Sequence, residues 1–363
     1  MFRREFWKNF DFWLIGAVLF LCVFGLIMIQ STIAGNIELA NYMNRQATFL
    51  GIGIAVLITV SLINYRYWKS FSRFLYIFIL AFLGIILIIG TTSFGAQRWL
   101  EVGLINIQPA EIAKIVLILV LAHYFSSQTK KPKDIRWMGL SGLLVAGIVV
   151  PIYLQPNLST TILLVVIWIS MLWISGIPTK YVYIIAVIGV IGAVLLFPNL
   201  EPYQQNRILS FINPDENASY GNDYNVQQAL ITIGSGGLLG QGYGSATQVQ
   251  LRFLKVRSTD FIFSAIAAEF GFVGTIVIMA ILIFVIVRCI RAARIASDPY
   301  GSLIAYGFAT LIAFQTMVNI GVNLRVIPVT GQTLPFISYG GSSLLSLMLG
   351  IGLIESVLLH RKA

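Results

Sequence analysis

Apolar runs long enough to cross a bilayer recur along this chain, at 12–30, 47–65, 73–91, 109–126, 138–155, 158–176, 181–198, 261–287, 302–324 and 341–359. A hydrocarbon core of about 30 Å needs about 20 mostly apolar residues of helix. The pattern therefore predicts ten membrane helices. The first run follows MFRREFWKNFD and is too long for the core of a signal peptide, so it reads as a retained helix. Most gaps between runs are short and polar. One is not: about 60 residues, near 199–259, separate helices seven and eight. The chain reads as an all-α integral membrane protein, a single polytopic domain over 1–363, with one long extracytoplasmic loop.

Composition agrees with that reading. Hydrophobic residues make up 58% of the 363 positions and charged residues only 10%, where a soluble domain carries about 25% charged. The formal net charge is +10, but the basic residues lie in short runs between apolar segments. That pattern indicates positive-inside loops, not nucleic-acid binding. With a cytoplasmic N-terminus, 16 of the 24 Lys and Arg residues fall in cytoplasmic segments. The short outer loops then hold only Arg45, Arg98 and Arg325, and both termini are inside. Cys22 and Cys289 lie in apolar runs and imply no disulfide framework. His123 and His360 match no metal-ligand spacing.

This topology places Asp260, in RSTDFIF, at the outer mouth of helix eight. A carboxylate beside hydrocarbon is costly and invites a functional reading, although Ser258, Thr259 or Asp260 could also simply cap the helix. Glu269 lies nine residues on, on the opposite face, and suits a partner inside the bundle. In QPAEIAK, Glu111 and Lys114 stand at i,i+3 and can pair, either to lock helices together or to serve a site. Gln315, Asn319 and Asn323 recur every four residues on helix nine, a polar stripe facing a cavity or another helix. Prolines and glycines from Pro328 to Gly341 break regular helix beyond it. In the long loop, glycines from Gly234 to Gly244 suggest tight turns against a membrane surface or a ligand. The apolar Asn225–Gly234 stretch suggests a short interfacial helix. No ATP is available outside the cell, so chemistry at this face needs a substrate that arrives activated.

Four stretches resemble the SEDS family (shape, elongation, division and sporulation): RWLEVGLINIQPAEIAK, YQQNRILSFINP, TDFIFSAIAAEFGFVG and PVTGQTLPFISYGGSS. The match covers nearly the whole chain. SFINPDE, YNVQQALITIGSGGL and PVTG are most like the RodA branch, and NIGVNL and TLP are more like the FtsW branch. The resemblance implies ten membrane helices and polymerisation of glycan strands from lipid II. It also implies a class B penicillin-binding protein transpeptidase as partner, alongside membrane lipids. The family's essential aspartate falls on Asp260, and its paired acid and base on Glu111 and Lys114. The chain departs from the family at Lys255 and Val256, at Ala268, at Asn157, and at Arg325, where the family has glycine.

The implied reaction is an inverting displacement at the donor sugar's C1 with release of undecaprenyl diphosphate. It needs one base and positive charge on the leaving group. Asp260 is the candidate base. Arg98, Arg207, Arg252, Lys255 and Arg257 are candidates for the diphosphate, with Gln108, Asn319 and Ser338 as further substrate contacts. No protein metal site is expected, although a magnesium or manganese ion could share the diphosphate's charge. The alternative reading is a flippase for the lipid-linked precursor, which would need polar groups along the whole transport path. A non-catalytic scaffold would leave Asp260 unexplained.

Overall fold

The computed structural model describes residues 9–33, 39, 41–89, 91–93, 96–102, 105–127, 135–215, 218 and 220–361. The predicted membrane helices are α1 (Phe12–Ile33), α2 (Tyr42–Leu62), α3 (Arg66–Ile89), α4 (Pro109–Ser127), α5 (Ile135–Leu154), α6 (Leu158–Ile174) and α7 (Thr179–Leu196), followed by α11 (Ile262–Ile295), α12 (Pro299–Asn323) and α13 (Gly341–Leu359). Among the described residues, nine helices are long and apolar enough to cross a membrane. The tenth, α6, is an apolar helix of 17 residues. Between α7 and α11 lie α8 (Pro202–Ile212), α9 (Gly221–Ser235) and the single turn α10 (Thr247–Gln250). The interfacial helix expected at 225–234 is thus longer, and α8 adds a second one.

One element departs from the all-α expectation. The link between α3 and α4 forms a small antiparallel meander of β1 (Thr91–Ser93), β2 (Ala96–Val102) and β3 (Ile105–Ile107). Leu100 pairs with Ile107 and Val102 with Ile105. The segments are rich in Thr, Trp, Val and Ile, which suit a pleated strand.

The core centres on α4, α12 and α13. Nearly every residue of α13 from Leu344 to Leu359 is buried, whereas the span containing α7 has no buried residue. In lipid, helices associate through close packing and not through water exclusion. The α2–α13 contact shows this: a Cβ on Gly352 would lie 2.8 Å from the Leu57 carbonyl oxygen.

Helix α11 is not the unbroken span that its hydropathy predicts. Gly271 takes φ 68°, ψ −167° inside it. At a regular site, the amides of residues 272 and 273 would bond the carbonyls of residues 268 and 269. Here the Phe272 amide donates to Gly237 O at 2.9 Å and the Val273 amide to Leu238 O at 3.1 Å. The freed carbonyls of Ala268 and Glu269 accept from the Gln241 and Gly242 amides, at 2.9 and 3.0 Å. Four loop bonds replace two helix bonds, so each of these four backbone groups keeps a partner. The glycines make this approach possible. A Cβ on Gly236 would lie 1.9 Å from Ala267 O, and one on Gly240 2.2 Å from Glu269 O. Gly236 and Gly240 therefore pack on protein backbone, and the tight turns expected of the cluster are present, with positive φ at Gly237, Gly240, Gly242 and Gly244.

Candidate active site

Asp260 sits just ahead of α11, and the three carbonyls around it are all held. The Tyr339 amide donates to Ser258 O at 2.9 Å and the Ser338 hydroxyl to Thr259 O at 2.7 Å. The side-chain amides of Asn319 and Asn323 donate to Asp260 O at 3.0 and 2.9 Å. The irregular segment after α12 is held in turn. Asn319 also donates to Gln332 O at 2.8 Å, and the buried Gln46 of α2 bonds Ser338 O and the Gly340 amide at 3.3 and 3.1 Å. Asn319 and Asn323 of the α12 polar stripe therefore face neighbouring backbone, while Gln315 donates to the Gln332 side chain at 3.2 Å. Asn319 and Ser338, expected as substrate contacts, instead use their donors to fix the Asp260 segment.

None of the three expected capping residues caps α11. The cap position is Phe261, with no side-chain bond. The work is done from another helix: Asn323 Oδ1 accepts from the Ser264 amide at 3.0 Å and from its hydroxyl at 2.6 Å. Ser264 is the third residue of α11, the position an ordinary cap would bond. The Asp260 carboxylate is thereby left for other uses. Burial pushes its pKa from 3.8 up to about 6, against the opposing pull of the Arg207 charge and a hydrogen bond from the Thr259 side chain. Such a carboxylate is ionised at neutral pH yet is a far stronger base than an exposed one.

Arg207, on α8, is the cation nearest this carboxylate. A Cβ on Gly331 would lie 3.7 Å from Asp260 Oδ2 and 3.8 Å from Arg207 Nη1, so the two groups flank one glycine. Arg207 also lines a cavity of about 260 Å³ together with Asp215, Asn222, Asp223, Arg325 and Pro328.

The other expected cations are placed differently. Arg257 is buried, and its Nε donates to Thr32 O at 2.5 Å, at the C-terminal end of α1. Burial and the Arg252 charge push its pKa down. A guanidinium on the last carbonyls of a helix is a structural arrangement, and it removes Arg257 from the diphosphate candidates. Lys255 is exposed and stands 5.6 Å over the Tyr224 ring. Arg252 is exposed and holds φ 62°. Neither lines the Arg207 cavity. Arg98 lies on β2, with its side chain outside the described residues.

Lys114 and Glu111 form an ion pair of 2.6 Å in which Lys114 is almost fully buried. The Ser346 hydroxyl of α13 adds a bond to Glu111 at 3.3 Å. Beside the pair, the Gln108 amide donates to the Ser342 hydroxyl at 3.1 Å, and the Thr333 and Ser343 hydroxyls lie 3.2 Å apart. Among the described residues no group of three or more His, Cys, Asp or Glu could hold a metal ion. Sequence reasoning missed Gln46 and the placement of Arg325 on the cavity wall. Neither lies in a local pattern that would have marked it.

Comparison with known proteins agrees with this architecture. The family model described as "Cell cycle protein" (FtsW, RodA, SpoVE) matches residues 12–363. The chain is 32% identical to the peptidoglycan glycosyltransferase MrdB of Escherichia coli K12, covering 99% of this chain and 97% of that protein. It is 36% identical to a probable peptidoglycan glycosyltransferase FtsW of Thiomicrospira cyclica, covering 96% and 91%. Among solved structures it is similar to a chain of a peptidoglycan synthase complex that coordinates polymerization and crosslinking, with a TM-score of 0.84 at 28% identity, covering 97% of this chain and 98% of that one. It is also similar to RodA of Thermus thermophilus, with a TM-score of 0.74 at 27% identity, covering 98% and 99%. The chain belongs to the FtsW/RodA/SpoVE family of cell cycle proteins, the SEDS family.

Proposed function

We propose that this chain is a peptidoglycan glycosyltransferase that polymerises lipid II at the outer face of the cytoplasmic membrane. The observation that carries the reading is the state of Asp260: its backbone is latched on three carbonyls, its capping role is filled by Asn323, and its carboxylate stands next to Arg207. The acceptor N-acetylglucosamine 4-hydroxyl gives its proton to Asp260 as its oxygen attacks C1 of the donor. The bond from C1 to the diphosphate breaks, and undecaprenyl diphosphate leaves with its charge opposed by Arg207. The base and the cation stand on the two sides of Gly331, so acceptor and leaving group can be served from one site. A magnesium or manganese ion sharing that charge would draw most of its ligands from phosphate oxygens and water, with Asp215 and Asp223 the nearest cavity carboxylates.

The termini are assigned to the cytoplasm by the positive-inside count. The partner is assigned as a class B penicillin-binding protein, supported by the likeness to a complex that couples polymerization to crosslinking. A flippase finds less support. At the end of the bundle opposite Asp260, Asp11 and Arg288 pair with each other and Glu355 bonds the Asp11 amide, so these charges serve one another and do not line a path.

The test is purified protein with lipid II in detergent, read as product length on a gel. Wild type is expected to make glycan, and Asp260→Asn to lose at least about 10²-fold in rate while still folding and binding lipid II. A wild type that makes no glycan sinks the polymerase reading. An active Asn variant sinks the base.

A further inference from the structure

Arg325 occupies a backbone position that its own side chain opposes. It follows the end of α12 with φ 55°, in the left-handed region, where a glycine ends a helix most readily. The turn is fixed by the Val326 and Ile327 amides, which both donate to Gly321 O, at 2.8 and 3.2 Å. Residues kept in such conformations mark functional sites more often than chance. The side chain supplies a reason here, because Arg325 lines the same cavity as Arg207. Among the described residues neither arginine forms a salt bridge.

We propose that Arg325 is a second diphosphate-binding residue, which with Arg207 holds the donor's two phosphate groups in this cavity and sets the affinity for the lipid-linked substrate. The proposal rests on the lipid II reading. A diphosphate carries a negative charge on each phosphate, and arginine's planar fork matches phosphate oxygens two at a time, so two guanidiniums can engage both groups. Asp215 and Asp223, in the same wall, would repel phosphate at close range. They provide acceptors for sugar hydroxyls and amides, so the lining carries groups for both parts of a sugar diphosphate. The spacing is built into one element. Helix α12 latches the Asp260 carbonyl through Asn319 and Asn323 and presents Arg325 two residues later. A single rigid helix end thus sets the distance between the base and Arg325.

The experiment compares wild type, Arg325→Gly and Arg325→Lys in initial-rate polymerisation over a range of lipid II, with inorganic diphosphate as competing ligand. Arg325→Gly is expected to raise KM about tenfold with kcat within about twofold, the signature of lost uniform binding. It should weaken inhibition by inorganic diphosphate and raise the thermal midpoint, because glycine accepts the left-handed turn. Arg325→Lys should recover part of the affinity without the gain in midpoint. A glycine variant with wild-type KM and wild-type diphosphate inhibition overturns the proposal. If wild type makes no glycan, the polymerase reading falls by itself. Arg325 is then judged by the thermal shift that inorganic diphosphate gives wild type: a shift kept in the glycine variant refutes the site, and a shift lost there supports it.

Discussion

Among the described residues, three aspartates stand just ahead of membrane helices, and only one of them leaves its carboxylate outside both helix capping and ion pairing. Asp11 precedes α1 and caps it through the Leu14 amide at 3.0 Å. It is gripped at both oxygens by Arg288, at 2.5 and 2.7 Å. Asp298 caps α12 through the Gly301 amide at 2.8 Å and pairs with Arg66 at 2.9 Å. Asp260 precedes α11, caps nothing and has no ion pair within 4.0 Å among the described residues. The first two are helix-end structure, with every oxygen engaged. The third is held chiefly through its backbone, with one hydrogen bond from the Thr259 side chain at its carboxylate. What separates the two structural acids from the proposed base is which part of the residue the fold restrains.

That contrast can be tested by exchange. Asp260→Asn and Asp11→Asn are expected to fail in opposite assays. The first loses at least about 10²-fold in polymerisation. The second keeps turnover per folded molecule but loses about 3 kcal/mol of stability, because Arg288 is left without its partner. Equal activity losses in the two variants would erase the distinction.

A smaller effect separates latch from cap. Asn323→Asp retains an acceptor for the Ser264 amide but loses the donors to Asp260 O, whereas Asn323→Ala loses both. Both are expected to slow turnover about tenfold, the scale of one lost positioning bond, and only the alanine variant to lose helix stability as well. Initial rates beside thermal melts distinguish them.

The pH profile gives a third measure. Asp260 must be ionised to act, so turnover should be level above about pH 7 and fall tenfold per unit below about pH 6. Its folded pKa lies above the ordinary 3.8, so the native state binds this proton more tightly than the unfolded chain does. Stability therefore drops as pH rises from about 4 to 6, and Asp260→Asn should melt higher than wild type at pH 7.5. A rate profile flat down to pH 5 would remove Asp260 as the titrating base.

The least separation is expected at Lys114. Lys114→Arg keeps a cation beside Glu111 and should cost severalfold less activity than Lys114→Ala, measured in the same assay. Identical rates for both variants and wild type would make the pair purely structural.

Much of this was legible in the sequence, for physical reasons. Ten apolar runs report ten helices because lipid demands a minimum length of each. Asp260 stood out because a carboxylate in that position is expensive. The stripe at 315, 319 and 323 was visible as periodicity, but its target was not, since a side chain's partner in another helix leaves no trace in local spacing. Arg257 read as an outer-face cation for the same reason: only the fold brings Thr32 O beneath it. The break at Gly271 was hidden because hydropathy is indifferent to where backbone amides find their acceptors. Its one signal was the glycine itself, and its partners lie some 30 residues earlier.

The latch on Asp260 also limits how the site can move. Sliding α11 past α12 by one residue, about 1.5 Å, would break the bonds from Tyr339, Ser338, Asn319 and Asn323 to the Ser258–Ser264 segment together. The base is therefore a fixed point. Arg207, by contrast, rides on α8, an 11-residue helix outside the membrane bundle. Any partner that switches this site on has one practical handle, Arg207 on α8, since Arg325 is fixed at the end of α12, and a crosslink from α8 to α12 should lock activity where one from α11 to α12 leaves it unchanged.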